Sequence, residues 1–370
     1  MFFSAGALFG RAAAIDLGTV NTVVAIEGRG IVLNEPTAAA VYTEAQRERG
    51  IISSGADAER LYGRTPGGVN IIYPMKDGVI ADISAVGDML GDFFIKAFGR
   101  RRGAAGARLT ICLPLCATEL EQRALTDAVK ACGAREATII PEPLAAAAGA
   151  GMDIFAPVGS MVVDMGGGTT DTAVISYGGI AANDSIKTGG RHIDGAIADY
   201  IAAQYGVRIG EKTAEEIKLS LGAALIGGME RRQFKGRSLK TGLPECVALT
   251  GGEVSHAIAP TVRKIVDSVR RTLSETPPEL AADIIDRGIM LTGGGALLRG
   301  LDKLFAEKPQ YNDGAYLSAA LEERHPGAMA FEYERTVAAF LPAAQAERET
   351  TAQLLPLLDS CLLYTSRAHE

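Results

Sequence analysis

The chain has 370 residues, 47% of them hydrophobic and 22% charged, which is enough for one or two sizeable hydrophobic cores. Its formal net charge of −7 argues against bulk attraction to DNA or RNA, so we expect no nucleic-acid partner. The 5 cysteines form no Cys-x-x-Cys pairs, which favours reduced thiols in a cytoplasmic protein over a disulfide framework or a zinc site. No stretch has the length and hydropathy of a membrane span.

The first half begins with a short apolar segment, residues 1–11, and continues as alternating strands and helices. The segment lacks the basic start and the cleavage-site spacing of a signal peptide. Residues 34–75 are rich in turn signals and suit a small inserted subdomain. Runs typical of strands lie at 13–16, 22–27, 30–33, 109–113 and 138–140, and helical spacings lie at 82–98, 118–132 and 144–150.

The second half repeats this plan. In each half an apolar strand ends in an aspartate, a glycine-containing turn follows, and further strands come next, which indicates a duplicated α/β domain. In the second half, strands are predicted at 161–163, 172–176 and 180–183, and helices at 193–205, 213–221 and 253–273.

The two turns that follow the aspartates are the main functional signal. A strand that ends in a carboxylate and turns through glycine presents backbone N–H groups to a phosphate, and threonine hydroxyls add further donors. Two such turns facing each other would hold the phosphates of a nucleotide from both sides, although no Gly-x-x-x-x-Gly-Lys-Ser/Thr loop is present. The candidate phosphate-binding residues are Gly18, Thr19, Asn21 and Thr22 in the first turn and Gly166, Gly167, Gly168 and Thr169 in the second.

The aspartates themselves, Asp16 and Asp164, suggest a metal ion. Two carboxylates beside an anion need a cation between them, and Mg²⁺ bound through water suits this arrangement. The alternative is that both are polar residues at strand ends, which would fit a single such turn better than two.

Several runs resemble one known family. They lie at 16–22, 63–66, 74–80, 119–124, 141–151, 163–179, 210–218 and 241–244, and along a longer stretch that begins at 276–280 and ends at 301–302. On these runs the chain is similar to the actin, Hsp70 and sugar kinase superfamily and, within it, to the MreB family of bacterial actins. The resemblance covers roughly residues 12–306.

The resemblance implies an actin-like ATPase fold of class α/β, with two duplicated ribonuclease-H-like domains that each carry a smaller inserted subdomain. The domains expected are 12–147, with an insertion at about 34–75, and 148–306, with an insertion at about 181–250. Residues 307–370 do not match, which we interpret as a frame shift, a chimeric join or a sequencing-derived tail, with a divergent natural C-terminus as the alternative.

The resemblance also implies roles for particular residues. Glu142, between two prolines, would orient the water that attacks the γ-phosphate, so Glu142, Asp16 and Asp164 are the catalytic candidates; the alternative for Glu142 is a helix N-terminal glutamate that satisfies the helix dipole. Glu215 and Lys218, three apart on a helix, would contact ribose and adenine, or else form a solvated ion pair. A third glycine run, Gly293, Gly294 and Gly295, would approach the α-phosphate and adenosine, with Ala296 starting a helix.

One position departs from the family. Members usually have Gly-Gly-Asp where this chain has Gly189-Gly190-Arg191, so an arginine is expected near the mouth of the nucleotide site.

The functional expectation is an ATP- and Mg²⁺-dependent cytoskeletal filament protein, a slow ATPase in a structural role that organises peptidoglycan synthesis and rod shape. By resemblance, its partners are copies of itself in paired filaments, the inner face of the cell membrane, and elongation-complex proteins such as MreC, RodZ and RodA. A small-molecule kinase or a chaperone-type ATPase of the same superfamily is the alternative. Membrane contact is expected from Phe2, Phe3, Leu8 and Phe9, helped by Arg11 and the arginines at 100–102, or else these form a frayed terminus and a solvated basic loop.

Overall fold

The computed structural model describes residues 12–42, 50–65, 67–99, 104–225 and 227–307. The expected membrane-contact residues Phe2, Phe3, Leu8 and Phe9, the basic residues Arg11 and 100–102, and the segment 308–370 lie outside the described residues. The chain divides into two compact units, the first ending at Phe155 and the second beginning at Ala156.

The first unit is built on a five-stranded mixed sheet. The strands of the whole unit, inside and outside this sheet, are β1 (Ala12–Leu17), β2 (Asn21–Ile26), β3 (Gly30–Pro36), β4 (Ala39–Tyr42), β5 (Ile51–Ser54), β6 (Val69–Ile72), β7 (Met75–Lys76), β8 (Val79–Ile80), β9 (Arg108–Leu113) and β10 (Glu136–Pro141). Its helices are α1 (Ala56–Arg60), α2 (Ile83–Phe98), α3 (Glu119–Ala131) and α4 (Glu142–Gly149).

The strand order β10-β9-β1-β2-β3 explains where the polar residues of this unit lie. β1 is antiparallel to β2 and parallel to β9, and β9 is parallel to β10. The carboxyl ends of β1, β9 and β10 therefore share one edge of the sheet. Separate from this sheet are a small sheet of order β5-β4-β6 and a two-stranded hairpin, β7-β8.

Local sequence accounts for the helices that cover this sheet. α2 begins at Asp82, whose side chain accepts a hydrogen bond from the Ala85 amide, and ends at Gly99 in the left-handed region. Its apolar stripe, including Phe93 and Phe94, is buried in the core of the unit. α3 begins with a capping box formed by Thr118 and Glu121.

The second unit repeats the central arrangement of the first. Its four-stranded sheet has the order β13-β12-β11-β17, in which β11 is antiparallel to β12 and parallel to β17. A three-stranded sheet, β14-β15-β16, lies apart from it in the strand pairing. The strands are β11 (Ser160–Met165), β12 (Thr170–Ser176), β13 (Gly179–Ile186), β14 (Val207–Arg208), β15 (Arg231–Ser238), β16 (Pro244–Thr250) and β17 (Ile289–Thr292), and the helices are α5 (Gly190–Tyr205), α6 (Glu211–Leu221), α7 (Gly251–Glu275), α8 (Pro278–Arg287) and α9 (Leu301–Glu307).

The duplication is therefore visible in strand pairing. In each unit a three-strand antiparallel meander carries a parallel strand on the outer side of its first strand, β9 beside β1 and β17 beside β11. In the described part of the chain, no helix combines the length and the hydropathy needed to cross a membrane.

The predicted strands and helices recur in the structure with shifted ends, and α4 shows why the ends shift. It begins at Glu142, two residues before the predicted start, because Pro143 occupies its first turn, where proline costs no hydrogen bond. Sheet β14-β15-β16 was not predicted from the sequence. β15 buries only Phe234 and Ser238, so its hydrophobic alternation is too weak to identify a strand.

Candidate functional site

The first turn, residues 18–22, is closed by backbone hydrogen bonds. The Gly18 amide donates to the Asn21 carbonyl at 3.0 Å, and the Thr37 amide donates to the Val20 carbonyl at 2.7 Å. A Cβ on Gly18 would lie 2.7 Å from the Asn21 carbonyl oxygen, so a larger residue would open the turn. The turn therefore requires glycine at this position for steric reasons.

Thr22 has a different role from the one its sequence position suggested. Its Oγ1 lies 2.9 Å from Thr37 Oγ1, and Thr37 Oγ1 donates its hydrogen to the Gly18 carbonyl at 2.8 Å. Because a hydroxyl has one hydrogen, Thr22 must be the donor to Thr37. Thr22 is fully buried, and its hydrogen is used inside the protein. The expectation that Thr22 donates to a phosphate is corrected: its hydroxyl supports the turn instead.

The Thr19 hydroxyl, by contrast, acts as an acceptor in its contact with the protein. The Gly78 amide, at the tip of the β7-β8 hairpin, donates to Thr19 Oγ1 at 3.1 Å. The same hairpin is attached to α3, because the Ile80 amide donates to Glu121 Oε1 at 3.1 Å. Thr19 Oγ1 is therefore the acceptor in its contact with the hairpin, and the hydroxyl can still act as a donor.

Two buried carboxylates lie at the shared edge of the first sheet. Asp16 is near the end of β1 and is 3% exposed, and Glu142 follows β10 and is 7% exposed. β1 and β10 are both neighbours of β9, so two strand spacings, about 10 Å, separate their strands. Glu142 is also the first residue of α4, where a carboxylate is favoured by the helix dipole.

The second turn, residues 166–170, is closed in the same way as the first. The Gly166 amide donates to the Thr169 carbonyl at 2.9 Å. The first amides of α5 then donate to the turn: Gly190 to the Gly166 carbonyl at 3.0 Å and Arg191 to the Gly167 carbonyl at 2.8 Å. Arg191, the residue that departs from the family, thus contacts this turn through its backbone amide and is half-buried.

The close approach of α5 depends on Gly189. A Cβ there would lie 2.5 Å from the Gly166 carbonyl oxygen and 2.8 Å from the Gly167 carbonyl carbon. The second turn is also held at its far end, because Thr170 Oγ1 donates to the Thr188 carbonyl at 2.7 Å.

The third glycine run lies against the end of β11. A Cβ on Gly293 would lie 2.4 Å from the Met165 carbonyl oxygen and 2.6 Å from Asp164 Oδ1. The parallel pairing of Asp164 with Thr292 in β17 brings the run to this point, so Asp164, the second turn and the third run come together in one unit. The expectation that Ala296 starts a helix was wrong. Ala296 lies inside a short 3₁₀ turn, Gly294–Leu297, and the next helix, α9, begins only at Leu301.

Lys218 has a partner that local sequence could not identify. Its Nζ lies 3.0 Å from Asp194 Oδ2 on α5 and donates to the Gly190 carbonyl at 3.4 Å, whereas Glu215 is exposed. Burial raises the pKa of Asp194, and the charge and hydrogen bond of Lys218 oppose that rise. Lys218 and Asp194 thereby connect α6 to the first turn of α5, which in turn contacts the second glycine turn.

The residues present fit Mg²⁺ held mainly by water and phosphate. No group of three or more potential metal ligands occurs within the described ranges, so a site made wholly of protein ligands is absent there. Asp16 and Asp164 each offer buried carboxylate oxygens beside a turn whose amides suit an anion. Hard oxygen ligands and one or two carboxylates are typical of Mg²⁺ sites that keep their waters.

Sequence relatives of this chain are cell shape-determining proteins. A family model described as MreB/Mbl protein matches residues 10–312. Cell shape-determining protein MreB of Escherichia coli strain K12 is 43% identical over 303 residues, which are 81% of this chain and 87% of that protein. Cell shape-determining protein Mbl of Bacillus subtilis strain 168 is 43% identical over 302 residues, 81% of this chain and 90% of that protein.

Solved structures agree with the sequence relatives. MreB5 of Spiroplasma citri bound to ADP superposes with a TM-score of 0.77 at 32% identity, covering 94% of this chain and 98% of that one, and the same protein bound to AMPPNP matches equally. The MamK double helical filament, at 19% identity, a TM-score of 0.65, and coverage of 80% of this chain and 90% of that one, shows the fold alone. The actin-like fold predicted from the sequence is confirmed.

Proposed function

The chain belongs to the MreB/Mbl family, and on that premise we propose that ATP, held with Mg²⁺, switches its filaments between assembly and turnover. The family relationship supports a cytoskeletal, cell shape-determining role, and the ADP bound by MreB5 of Spiroplasma citri supports nucleotide binding; assembly of this chain into actin-like filaments is part of the proposal. The observation that carries the proposal is structural: each unit has a glycine turn closed by the same i to i+3 hydrogen bond, beside a buried strand-end aspartate.

In this proposal the turns bind the phosphates and the third glycine run approaches the nucleoside. Gly18 and Gly166 close the turns through their own amides, and the backbone amides at 19–21 and 167–169 and the Thr19 hydroxyl donate to phosphate oxygens. Asp16 and Asp164 would hold Mg²⁺ through water, and the ion would supply charge neutralisation for the phosphates. Lys218 and Glu215 lie on α6, which is connected through Asp194 to the helix that supports the second turn, so we assign them to the nucleoside side of the site.

Glu142 is proposed to orient the water that attacks the γ-phosphate. It is buried, it lies on the same sheet edge as Asp16, and its backbone is fixed between Pro141 and Pro143. We expect Glu142→Ala to bind ATP as well as the wild type does and to release phosphate at least about 100-fold more slowly. Glu136→Ala, at an exposed position on β10, the strand that precedes Glu142, is the matched control. Wild-type phosphate release by Glu142→Ala would falsify the assignment.

The finer cellular role is proposed from the family and from the N-terminal sequence. We place the filaments at the inner face of the cell membrane, where they organise peptidoglycan synthesis together with elongation-complex proteins such as MreC, RodZ and RodA. Phe2, Phe3, Leu8 and Phe9 would enter the lipid interface, and Arg11 would contact anionic headgroups.

Electron microscopy and pelleting with ATP and anionic liposomes test both levels of the proposal. The expected result is ATP-dependent filaments that sediment with liposomes, and filaments that no longer sediment with liposomes when residues 2–10 are deleted. Absence of filaments with ATP, or phosphate release that is stimulated by a sugar or a peptide, would contradict the filament function and favour a kinase or a chaperone-type ATPase. Liposome pelleting by the deletion variant would contradict only the membrane assignment.

A further inference from the structure

We propose that Thr37 is a positioning residue for the first phosphate turn: it holds two carbonyls of the turn and thereby directs the Thr19 and Asn21 amides towards the nucleotide. The inference rests on the proposed nucleotide site and adds to it a residue that does not itself touch the ligand. Thr37 lies outside the turn, one residue after the end of β3, and is fully buried.

Three hydrogen bonds connect Thr37 to the turn, one through its amide and two through its hydroxyl. Its amide donates to the Val20 carbonyl at 2.7 Å, its hydroxyl donates to the Gly18 carbonyl at 2.8 Å, and its hydroxyl oxygen accepts from Thr22 at 2.9 Å. The Thr22 contact orients the Thr37 hydroxyl, because a hydroxyl that accepts from one side donates to the other. Both hydrogen bonds of the buried Thr37 hydroxyl are therefore made with the turn that it supports.

Holding a carbonyl also fixes the following amide. In a trans peptide the C=O and the next N–H point in opposite directions, and the described chain has no cis peptide bonds. The Gly18 carbonyl points to Thr37, so the Thr19 N–H points away from Thr37. The Val20 carbonyl also points to Thr37, so the Asn21 N–H points away as well. Both donors are thus oriented before any ligand binds, which lowers the cost of binding an anion.

The second unit achieves the same result with different groups. There the Gly190 and Arg191 amides hold the carbonyls of Gly166 and Gly167, so the amides of Gly167 and Gly168 point away from α5. In the first unit Thr37 holds the Gly18 carbonyl, which is the counterpart of Gly166, and the Val20 carbonyl, which lies one residue beyond the counterpart of Gly167. The recurrence of carbonyl holding in both turns supports a role beyond local packing.

Thr37 also stands where the large sheet passes into the small one. β3 ends at Pro36 and β4 begins at Ala39, and the Ala38 carbonyl accepts from the amide of Gly55, the residue directly after β5, at 2.8 Å.

The test compares Thr37→Val, Thr37→Ser and the control Thr272→Val by titration with a fluorescent ATP analogue and by urea unfolding. Valine removes the hydroxyl while keeping the shape, serine keeps the hydroxyl, and Thr272 is a buried threonine of α7 whose hydroxyl donates to the Ser268 carbonyl at 3.2 Å. We expect the Kd for the analogue to rise about tenfold in Thr37→Val and to stay within about twofold of wild type in the other two variants.

Each outcome decides between the two proposals. Equal affinity of wild type and Thr37→Val overturns the role of Thr37 alone, whereas absence of binding by wild type overturns the nucleotide site and this inference with it. Equal losses of affinity in Thr37→Val and Thr272→Val would show a general stability effect and also overturn it. Should Thr37→Val fail to fold, Thr37→Ser decides, because weakened binding by a variant that retains the hydroxyl contradicts the proposal.

Discussion

Individual residues of the two turns show how contacts distant in sequence assign chemical roles. Thr19 and Thr22 both lie in the turn that begins at Gly18. Thr22 donates its hydroxyl hydrogen to Thr37, whereas the Thr19 hydroxyl accepts from the Gly78 amide and can still donate. The difference comes from Thr37, which is 15 positions from Thr22 and has no local signal that links it to the turn. The sequence identified the turn and its residue types, but the direction of each hydrogen required the folded contacts.

Gly293 offers a test of close packing at the second aspartate. We expect Gly293→Ala to lower the free energy of unfolding by about 1–3 kcal/mol, because its φ is +80° and its methyl group would overlap the Met165 carbonyl and Asp164. Urea unfolding measures the change. The matched control is Gly294→Ala, whose added methyl meets nothing within 4 Å, and which should change stability by less than about 0.5 kcal/mol. Equal effects of the two substitutions would contradict the packing argument.

At the level of elements, helix starts couple neighbouring segments. α7 begins with a capping box in which the Thr250 amide donates to Glu253 Oε2 at 2.8 Å, and Glu253 also accepts from the Tyr205 hydroxyl at the end of α5. Hydrogen bonds from Thr250 and then Tyr205 lower the pKa of Glu253, and the bond to Glu253 raises the pKa of Tyr205 to about 12. The capping box therefore also connects α5 to α7.

This coupling predicts a pH-dependent stability. Because the pKa of Glu253 is lower in the folded chain than its ordinary 4.5, its stabilisation is fully present above pH 4.5 and is lost as the pH falls through the folded pKa. Because Gln can still accept the capping hydrogen bonds, Glu253→Gln removes only the charge. We expect it to lower the free energy of unfolding by about 0.5 kcal/mol at neutral pH, with the difference shrinking in acid. Urea unfolding across pH measures it. Glu216→Gln, at an exposed position on α6, should show neither effect, and a constant difference at all pH values would contradict the mechanism.

The elements also show where sequence prediction stops. Strands β1, β2, β11 and β12 are almost wholly buried, and their apolar runs identify them. β15 is largely exposed and buries only Phe234 and Ser238, so no hydrophobic period marks it. β16 alternates only over Val247 and Leu249, which is too short a run to identify a strand, and the pairing between the two defines both. The 3₁₀ turn at Gly294–Leu297 likewise depends on the contact of its glycines with β11 rather than on local helix propensity.

On the scale of the whole molecule, the duplication is a property of both sequence and structure. The chain repeats strand, aspartate and glycine turn, and each unit repeats the meander with one added parallel strand. Each unit encloses its own hydrophobic core. Two independently built units, each with one glycine turn beside a buried aspartate, are suited to the nucleotide-dependent switch that is proposed for this chain.

The sequence by itself determined the family, the duplicated α/β plan and the positions of the two glycine turns. Each of these features depends on contiguous residues, namely apolar runs, strand-end aspartates and glycines, whose spacing does not depend on distant contacts. Only the tertiary structure decided that Thr22 supports the turn, that Asp194 holds Lys218, and that Thr37 and the start of α5 orient the turn amides. The physical reason is that a hydrogen bond is set by distance and direction in space, and these partners are 15 to 24 residues apart in the chain.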